Sequence, residues 1–203
     1  PYKINLNEDI SLILKPGVIL EHTSPIENRN NLFPEEINNS FYYTTIDFVQ
    51  KLNQNFSYQF NLRYDYTKNF NSILSSSLVS KYNFENKHSI TNEIFSISSF
   101  PVLYERNVNY KTYRVDSGNN FFHTEIKGNS VLIPERVNGI SLNYSYFDSR
   151  YFNHSLNLFY HHMENPVDLY NNDIFISANP GDMVRNSEYR NFPKRKIFGS
   201  EIE

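Results

Sequence analysis

The chain has no cysteine and no tryptophan, and only two methionines and six glycines in 203 residues. Without cysteine it holds neither a disulfide framework nor a thiolate metal site, although that alone leaves the compartment open. No run of about 18 apolar residues occurs and mean hydropathy is -0.58, so transmembrane helices are excluded. Net charge is only -3 with scattered basic residues, and nothing argues for nucleic acid as a partner. There is no initiator methionine and no signal peptide. A chain running from Pro1 to Glu203 and stopping in an apparent strand is expected to be a piece of something longer.

Aromatics are what it does have, with 16 Tyr and 17 Phe. They are not scattered. Between Phe56 and Tyr66 every even position is apolar or aromatic (Phe56, Tyr58, Phe60, Leu62, Tyr64, Tyr66) and every odd one is polar or charged. A strand sends successive side chains to opposite faces, so this stretch has one greasy face and one wet face. At roughly 3.3 Å per residue and a tilt of about 40°, it spans on the order of 28 Å, enough to cross the apolar band of an outer membrane. Such strands escape a hydropathy test because their two faces cancel.

The same alternation recurs along the chain. Strands are expected at about 10–20, 41–52, 56–66, 72–84, 88–98, 137–147, 153–163, 183–189 and 194–203. Pro16 and Gly17 suggest a bulge or kink in the first. The connections sort by length. Long or irregular ones fall at 22–40, 67–71, 99–136 and 164–182; short turns fall at 53–55, 85–87 and 148–152. In an up-and-down sheet alternate connections emerge at the same end, so all the turns lie on one side and all the loops on the other, the pattern of outer-membrane barrels. A Greek-key sandwich has no reason to sort its loops this way. The expected fold is all-β: a partial antiparallel up-and-down transmembrane β-barrel, about nine strands of a larger one, in the outer membrane of a Gram-negative bacterium. Tyr58, Tyr64, Tyr66, Tyr144, Tyr146 and Tyr160 then suit an interfacial girdle, where a soluble sheet would use them as core.

Catalytic signatures are missing. His161 and His162 point to opposite faces of one strand, the other four histidines are isolated, and no Ser-centred elbow, paired carboxylates, metal-binding helix or phosphate loop occurs. The chain is expected not to be an enzyme, and to hold neither a cofactor nor a metal of its own. Arg63, Asp65 and Lys81 lie on the wet face of their strands and are expected to face the lumen, lining a permeation path or solvating the wall.

Several segments resemble the TonB-dependent outer-membrane receptors. Ile46-Asp47-Phe48-Val49-Gln50 and Leu62-Arg63-Tyr64-Asp65 look like paired barrel strands of that family. Phe100-Pro101 followed by Leu103-Tyr104-Glu105 is similar to its Phe-Arg-Ala-Pro box and the Leu-Tyr-Glu after it. The segment from Asn129 through Leu132 and Pro134 to Glu135 resembles its Asn-Pro-Asn-Leu-Lys-Pro-Glu box, with Ser130 and Val131 in place of Pro and Asn. Residues 155–167 and Phe198-Gly199-Ser200-Glu201 fit the segments that follow.

The resemblance implies an energy-coupled importer of a scarce metal chelate (a siderophore complex, haem or cobalamin), set in outer-membrane lipid. A TonB-type coupling protein would act through a plug domain absent from residues 1–203. It also implies a ligand-capturing loop. There Tyr104, Tyr110, Tyr113 and Arg114 stack on or pair with an anionic chelate, and His123 stands where haem-uptake members carry an axial ligand. Read from the residues alone, His123 is a solvated loop histidine beside Phe121 and Phe122, and the others are ordinary loop packing. The alternative function is a smaller pore or adhesin-like barrel without energy coupling.

Overall fold

A computed structural model describes residues 1–23, 37–85, 87–115, 121–148, 152–175 and 183–202. Nine antiparallel strands form the main sheet. In spatial order they are β1 (Tyr2–Asn5), β2 (Ile10–Thr23), β3 (Ile37–Lys51), β4 (Phe56–Thr67), β5 (Asn71–Phe84), β6 (His88–Ser99), β9 (Glu135–Asp148), β10 (Phe152–Glu164) and β13 (Arg195–Ile202). Among the described residues no helix is long and apolar enough to cross a membrane.

The period-two pattern dictates both faces. One hydrogen-bonded row crosses all nine strands: Ile4, Leu12, Phe48, Phe60, Leu78, Ile94, Ile140, Tyr160 and Phe198. Every member is apolar, and a slip of one residue in β1 or β4 would bring in Lys3 or Asn5, or Gln59 or Asn61. Yet this face has no partner among the described residues. Ile94 is 51% exposed and Phe198 83%, and among the described residues the buried apolar side chains, prolines aside, are Phe41, Leu103, Val108 and Leu132. The sheet has a greasy side and no core beneath it, which a water-soluble fold avoids.

The greasy side is also slanted. The row through Leu14, Ile46 and Leu62 is apolar on β2, β3 and β4, then reaches Ser76, Ser96, Asn138, His162 and Lys196. On β10 the apolar residues centre on Leu158, four residues from His162 toward the turn end. Over the five steps from β3 to β10, that is about 13 Å of rise across about 24 Å of sheet, or a strand tilt of about 30° from the normal of a level band. Membrane barrels tilt their strands by roughly 35–45°.

The odd-numbered face is polar and acquires close packing from aromatic-over-glycine pairs. The Phe95 ring lies on Gly139, its cross-strand partner, and Phe159 lies on Gly199. Tyr43 covers Gly17 in the same way, and pairing runs one-to-one through Pro16 opposite Thr44, so Pro16-Gly17 forms no bulge. The proline's missing N–H leaves the ladder otherwise intact.

Three expectations need correction. First, 99–136 is not one irregular loop. It holds a five-residue helix α1 (Leu103–Asn107) and strands β7 (Asn109–Val115) and β8 (Phe121–Lys127). Second, 164–182 contains β11 (Val167–Phe175), while 176–182 lies outside the described residues. Third, β12 (Met183–Asn191) is not a wall strand. It pairs antiparallel with β11 and parallel with β8, giving a second sheet ordered β11-β12-β8-β7. With β12 removed from the wall, β13 enters from the loop end and runs antiparallel to β10, the reverse of the expected direction. The wall still has nine strands because β1, which was not expected, adds one at the opposite edge beside β2. The connection at 68–70 is a three-residue turn, whereas most of the expected loop at 22–40, and residues 149–151, fall outside the described residues.

Candidate functional site

A recess of about 600 Å³ opens on the odd face near the loop end of β2 to β6. It forms where two ladders part. β5 and β6 stay paired only as far as Ser76 and Ser96. Beyond that point the Ser75 hydroxyl bridges the strands, accepting from the Ser98 N–H (3.0 Å) and donating to the Ser98 carbonyl (3.3 Å). Serines 75, 77, 98 and 99 line one wall, and Glu21, Asp47, Asn61, Arg63 and Asp65 line the other.

Two ion pairs shape its floor. Lys15 Nζ reaches Asp47 Oδ2 at 2.5 Å, and the Arg63 guanidinium forks onto both Asp65 oxygens at 2.7–3.0 Å. Asp47 and Asp65 are buried while their cations stay about half exposed, so the carboxylates are fixed and the cations remain reachable. Arg63 also lies over the Tyr43 ring, 4.7 Å from its centroid. The expected inward side of Arg63 and Asp65 is therefore the recess. Lys81 shares that face but sits nearer the turn end, opposite Ser57 and Thr91, and outside the recess.

The rim is an aromatic and helical joint. Phe100 packs between Phe41 (5.7 Å) and Phe70 (5.4 Å), and Pro101 and Leu103 are buried beside it. Glu105 Oε2 accepts the Val102 N–H at 3.0 Å and so closes the first turn of α1. Burial raises the Glu105 pKa, the Val102 hydrogen bond partly offsets this, and the Glu135 charge adds to the rise. Arg106 stacks on Phe70 at 4.5 Å, and burial lowers its pKa against the pull of Glu21.

The chain then returns onto this helix. Gly128 N–H donates to the Val108 carbonyl (2.6 Å) and Asn129 N–H to that of Glu105 (2.9 Å). The Asn129 side chain donates to the Tyr189 carbonyl, Leu132 is buried, and Glu135 accepts the Val167 N–H. Asn191 completes the joint. Its Oδ1 accepts the Ile133 N–H (2.9 Å), and its Nδ2 donates to the carbonyls of Ile133 (3.0 Å) and Asn165 (2.8 Å). Most of the residues carrying the two box resemblances thus meet in one place, fastening the second sheet to the wall. Asn191 and Gly128 carry no sequence signal that would have found them.

The five expected ligand-capturing residues do not converge. Tyr113 and His123 are cross-strand partners with stacked rings 4.6 Å apart, while Tyr110 and Arg114 project from the opposite face of β7. Tyr104, on α1, meets Tyr189 edge-on at 6.0 Å. His123 is half-buried rather than solvated, and its Nε2 is enclosed with no hydrogen-bond partner. Beside that pair, Glu125 receives Lys111 at 2.9 Å and Lys127 at 3.4 Å.

Burial tends to raise the Glu125 pKa, but the two lysines outweigh it and the pKa falls; that of Lys111 rises through the same contact. The sign follows. The Glu125 contribution is present above the ordinary carboxylate pKa of about 4.3 and is lost as pH falls through its lowered value; that of Lys111 is lost only as pH climbs past about 10.4. The β7–β8 pair should therefore hold through neutral pH and loosen in acid below about pH 4. A carboxyl-carbon NMR titration of Glu125, repeated with Lys111→Ala, checks this. An unshifted wild-type value would sink it.

The geometry defines a class: a tilted, outwardly apolar section of a large antiparallel barrel, with an inner recess lined by serines, charged groups and apolar side chains, and a folded loop sheet above. This is the barrel fold of TonB-dependent receptors. Among solved structures it resembles the siderophore receptor PirA from Pseudomonas aeruginosa (TM-score 0.66, 16% identity, 95% of this chain and 39% of that one). It also resembles the ferric enterobactin receptor PfeA from the same organism (0.67, 16%, 98% and 31%). A third match is a double mutant of the Serratia marcescens hemophore receptor HasR in complex with its hemophore HasA and heme (0.69, 12%, 98% and 37%). The chain spans about a third of the length of these proteins. No protein-family model and no curated protein sequence matches it. All three structures are of receptors, not enzymes. Among the described residues no three His, Asp or Glu side chains gather as metal ligands.

Proposed function

We propose that residues 1–203 form part of the barrel of an outer-membrane receptor that imports a scarce metal chelate, a siderophore complex, haem or cobalamin, by energy-coupled uptake. The observation that carries this reading is the pairing of faces: an apolar flank from edge to edge on one side, and on the other a serine- and ion-pair-lined recess beneath a loop sheet fastened to its rim. The apolar flank suits acyl chains. A recess with fixed carboxylates and a reachable Arg63 suits a polar, multiply hydrogen-bonding solute in transit. Coupling acts through parts of the protein outside these residues.

The test uses cells expressing the full-length protein under iron limitation, supplied with labelled ferric enterobactin or haem. Uptake should depend on the protein and stop when an uncoupler collapses the inner-membrane gradient. Uptake that survives the uncoupler would favour the alternative, a pore without energy coupling. No protein-dependent uptake of either chelate, or of cobalamin, would leave an adhesin-like barrel.

A further inference from the structure

Above the apolar band, on the outward face of the last three wall strands, the side chains change abruptly. Arg136 and Asn138 on β9, His162 and Glu164 on β10, and Lys196 on β13 are register neighbours, with Lys194 just before β13. All occupy even positions, the greasy side of the wall. The next outward row toward the turns is Ile140, Tyr160 and Phe198. On β2 to β4 the same rows are still largely apolar, with Leu14, Ile46, Leu62 and Tyr64. The slant of the band therefore puts the cations at its upper border.

Charge balance there is uneven. Glu164 is shared by Lys194 (3.5 Å) and His162 (3.7 Å). Arg136 donates only to the Ser96 hydroxyl (2.9 Å), and neither it nor Lys196 has a carboxylate partner among the described residues. Arg195, between Lys194 and Lys196, pairs instead with Asp168 of the loop sheet (3.4 Å). At the turn end the outward face closes on rings: Phe84, His88 and Tyr146, with His88 hydrogen-bonded to the Tyr144 hydroxyl. A solvating fringe would have no reason to be cationic at one border and aromatic at the other.

We infer that Arg136, Lys194 and Lys196 form a binding site for a phosphate-bearing lipid headgroup in the leaflet on the loop side. The inference rests on the membrane reading above. Arg136 on β9 and Lys196 on β13 flank β10, two strand spacings or about 10 Å apart, with Lys194 just before β13; they stand level with headgroups while Ile140, Tyr160 and Phe198 below meet the acyl chains. Arg136 offers a fork to phosphate oxygens and the lysines offer mobile point charges.

The full-length protein is first reconstituted into phosphatidylcholine vesicles, where its wall must resist protease. Failure at this step overturns the membrane reading and the lipid site together. The protein is then titrated in dodecyl maltoside micelles with bisphosphorylated lipid A and with the same lipid dephosphorylated, bound lipid being counted by native mass spectrometry. The phosphorylated form should bind at least about tenfold more tightly. Arg136→Gln, Lys194→Gln and Lys196→Gln together should abolish that preference; Lys51→Gln with Lys68→Gln should keep it. If the triple variant does not assemble, Lys196→Gln alone should weaken phosphorylated binding several-fold. Equal binding of both lipids by the wild type, or an undiminished preference in the variants, overturns the lipid site and leaves the barrel reading intact.

Discussion

Replacing Ile94 with arginine in the full-length protein is expected to block its assembly into a membrane, whereas the same replacement at Ile97 is expected to be tolerated. The two residues lie three apart on β6 and are almost equally exposed, 51% and 47%. Judged by exposure alone in water, both changes fall within about 0.5 kcal/mol of neutral. They differ in which solvent they meet. Ile94 sits between Leu78 and Ile140 in the apolar row, where a charge near the bilayer midplane costs about 2–4 kcal/mol. Ile97 points into the recess beside Ser98 and Ser99, where a guanidinium stays hydrated. Heat-dependent gel migration and urea midpoints in vesicles measure the difference. Equal tolerance of both variants would mean that the greasy flank meets water or another protein surface, and the barrel reading would go with it.

The wall was legible in the sequence because its two faces meet different media. A strand such as Phe56–Thr67, with lipid on one side and a wet interior on the other, must alternate, and the alternation fixes register as well as identity. The loop sheet carries no such imprint. In β8, Phe121 and Phe122 are adjacent, and in β12 the run Arg185-Asn186-Ser187-Glu188 is polar on both faces. Neither face of this sheet is wholly dry, so no period is imposed: β7, β8 and β11, of seven to nine residues, pass for loop, and β12 passes for a wall strand. Its parallel pairing joins Ile126 to Ser187, a contact no local pattern announces. Missing it had one consequence in the wall: counting β12 as a wall strand reversed β13. The recess was half visible. Arg63 and Asp65 stood out as charges on the wet face, but Ser75 gains its role only because β5 and β6 part there. The expected ligand-capturing residues are spread over two faces, since Tyr110 and Tyr113 lie three apart on a strand and so face opposite ways.

Breaking the joint should free the loop sheet without unfolding the wall. Gly128 faces the backbone of α1 so closely that a Cβ would overlap the Arg106 carbonyl carbon and the Asn107 nitrogen, neither of which moves as a side chain does. Gly128→Val should force α1 and the 128–135 segment apart, breaking the Gly128–Val108 and Asn129–Glu105 bonds. Asn191→Ala makes the same point without a steric clash. It removes three hydrogen bonds that tie β12 to 133 and 165, worth about 2 kcal/mol together given their exposure. That corresponds to roughly thirtyfold faster hydrogen exchange in β7, β8, β11 and β12 if they open as a unit. Exchange in β3 to β5 should not change, because every ladder bond there is made within the wall. Under the proposed function, chelate capture weakens while membrane assembly persists. If instead the wall strands exchange faster in step with the loop sheet, the two sheets fold as one cooperative body. The segments resembling the family boxes would then stabilise the barrel itself rather than anchor what lies above it.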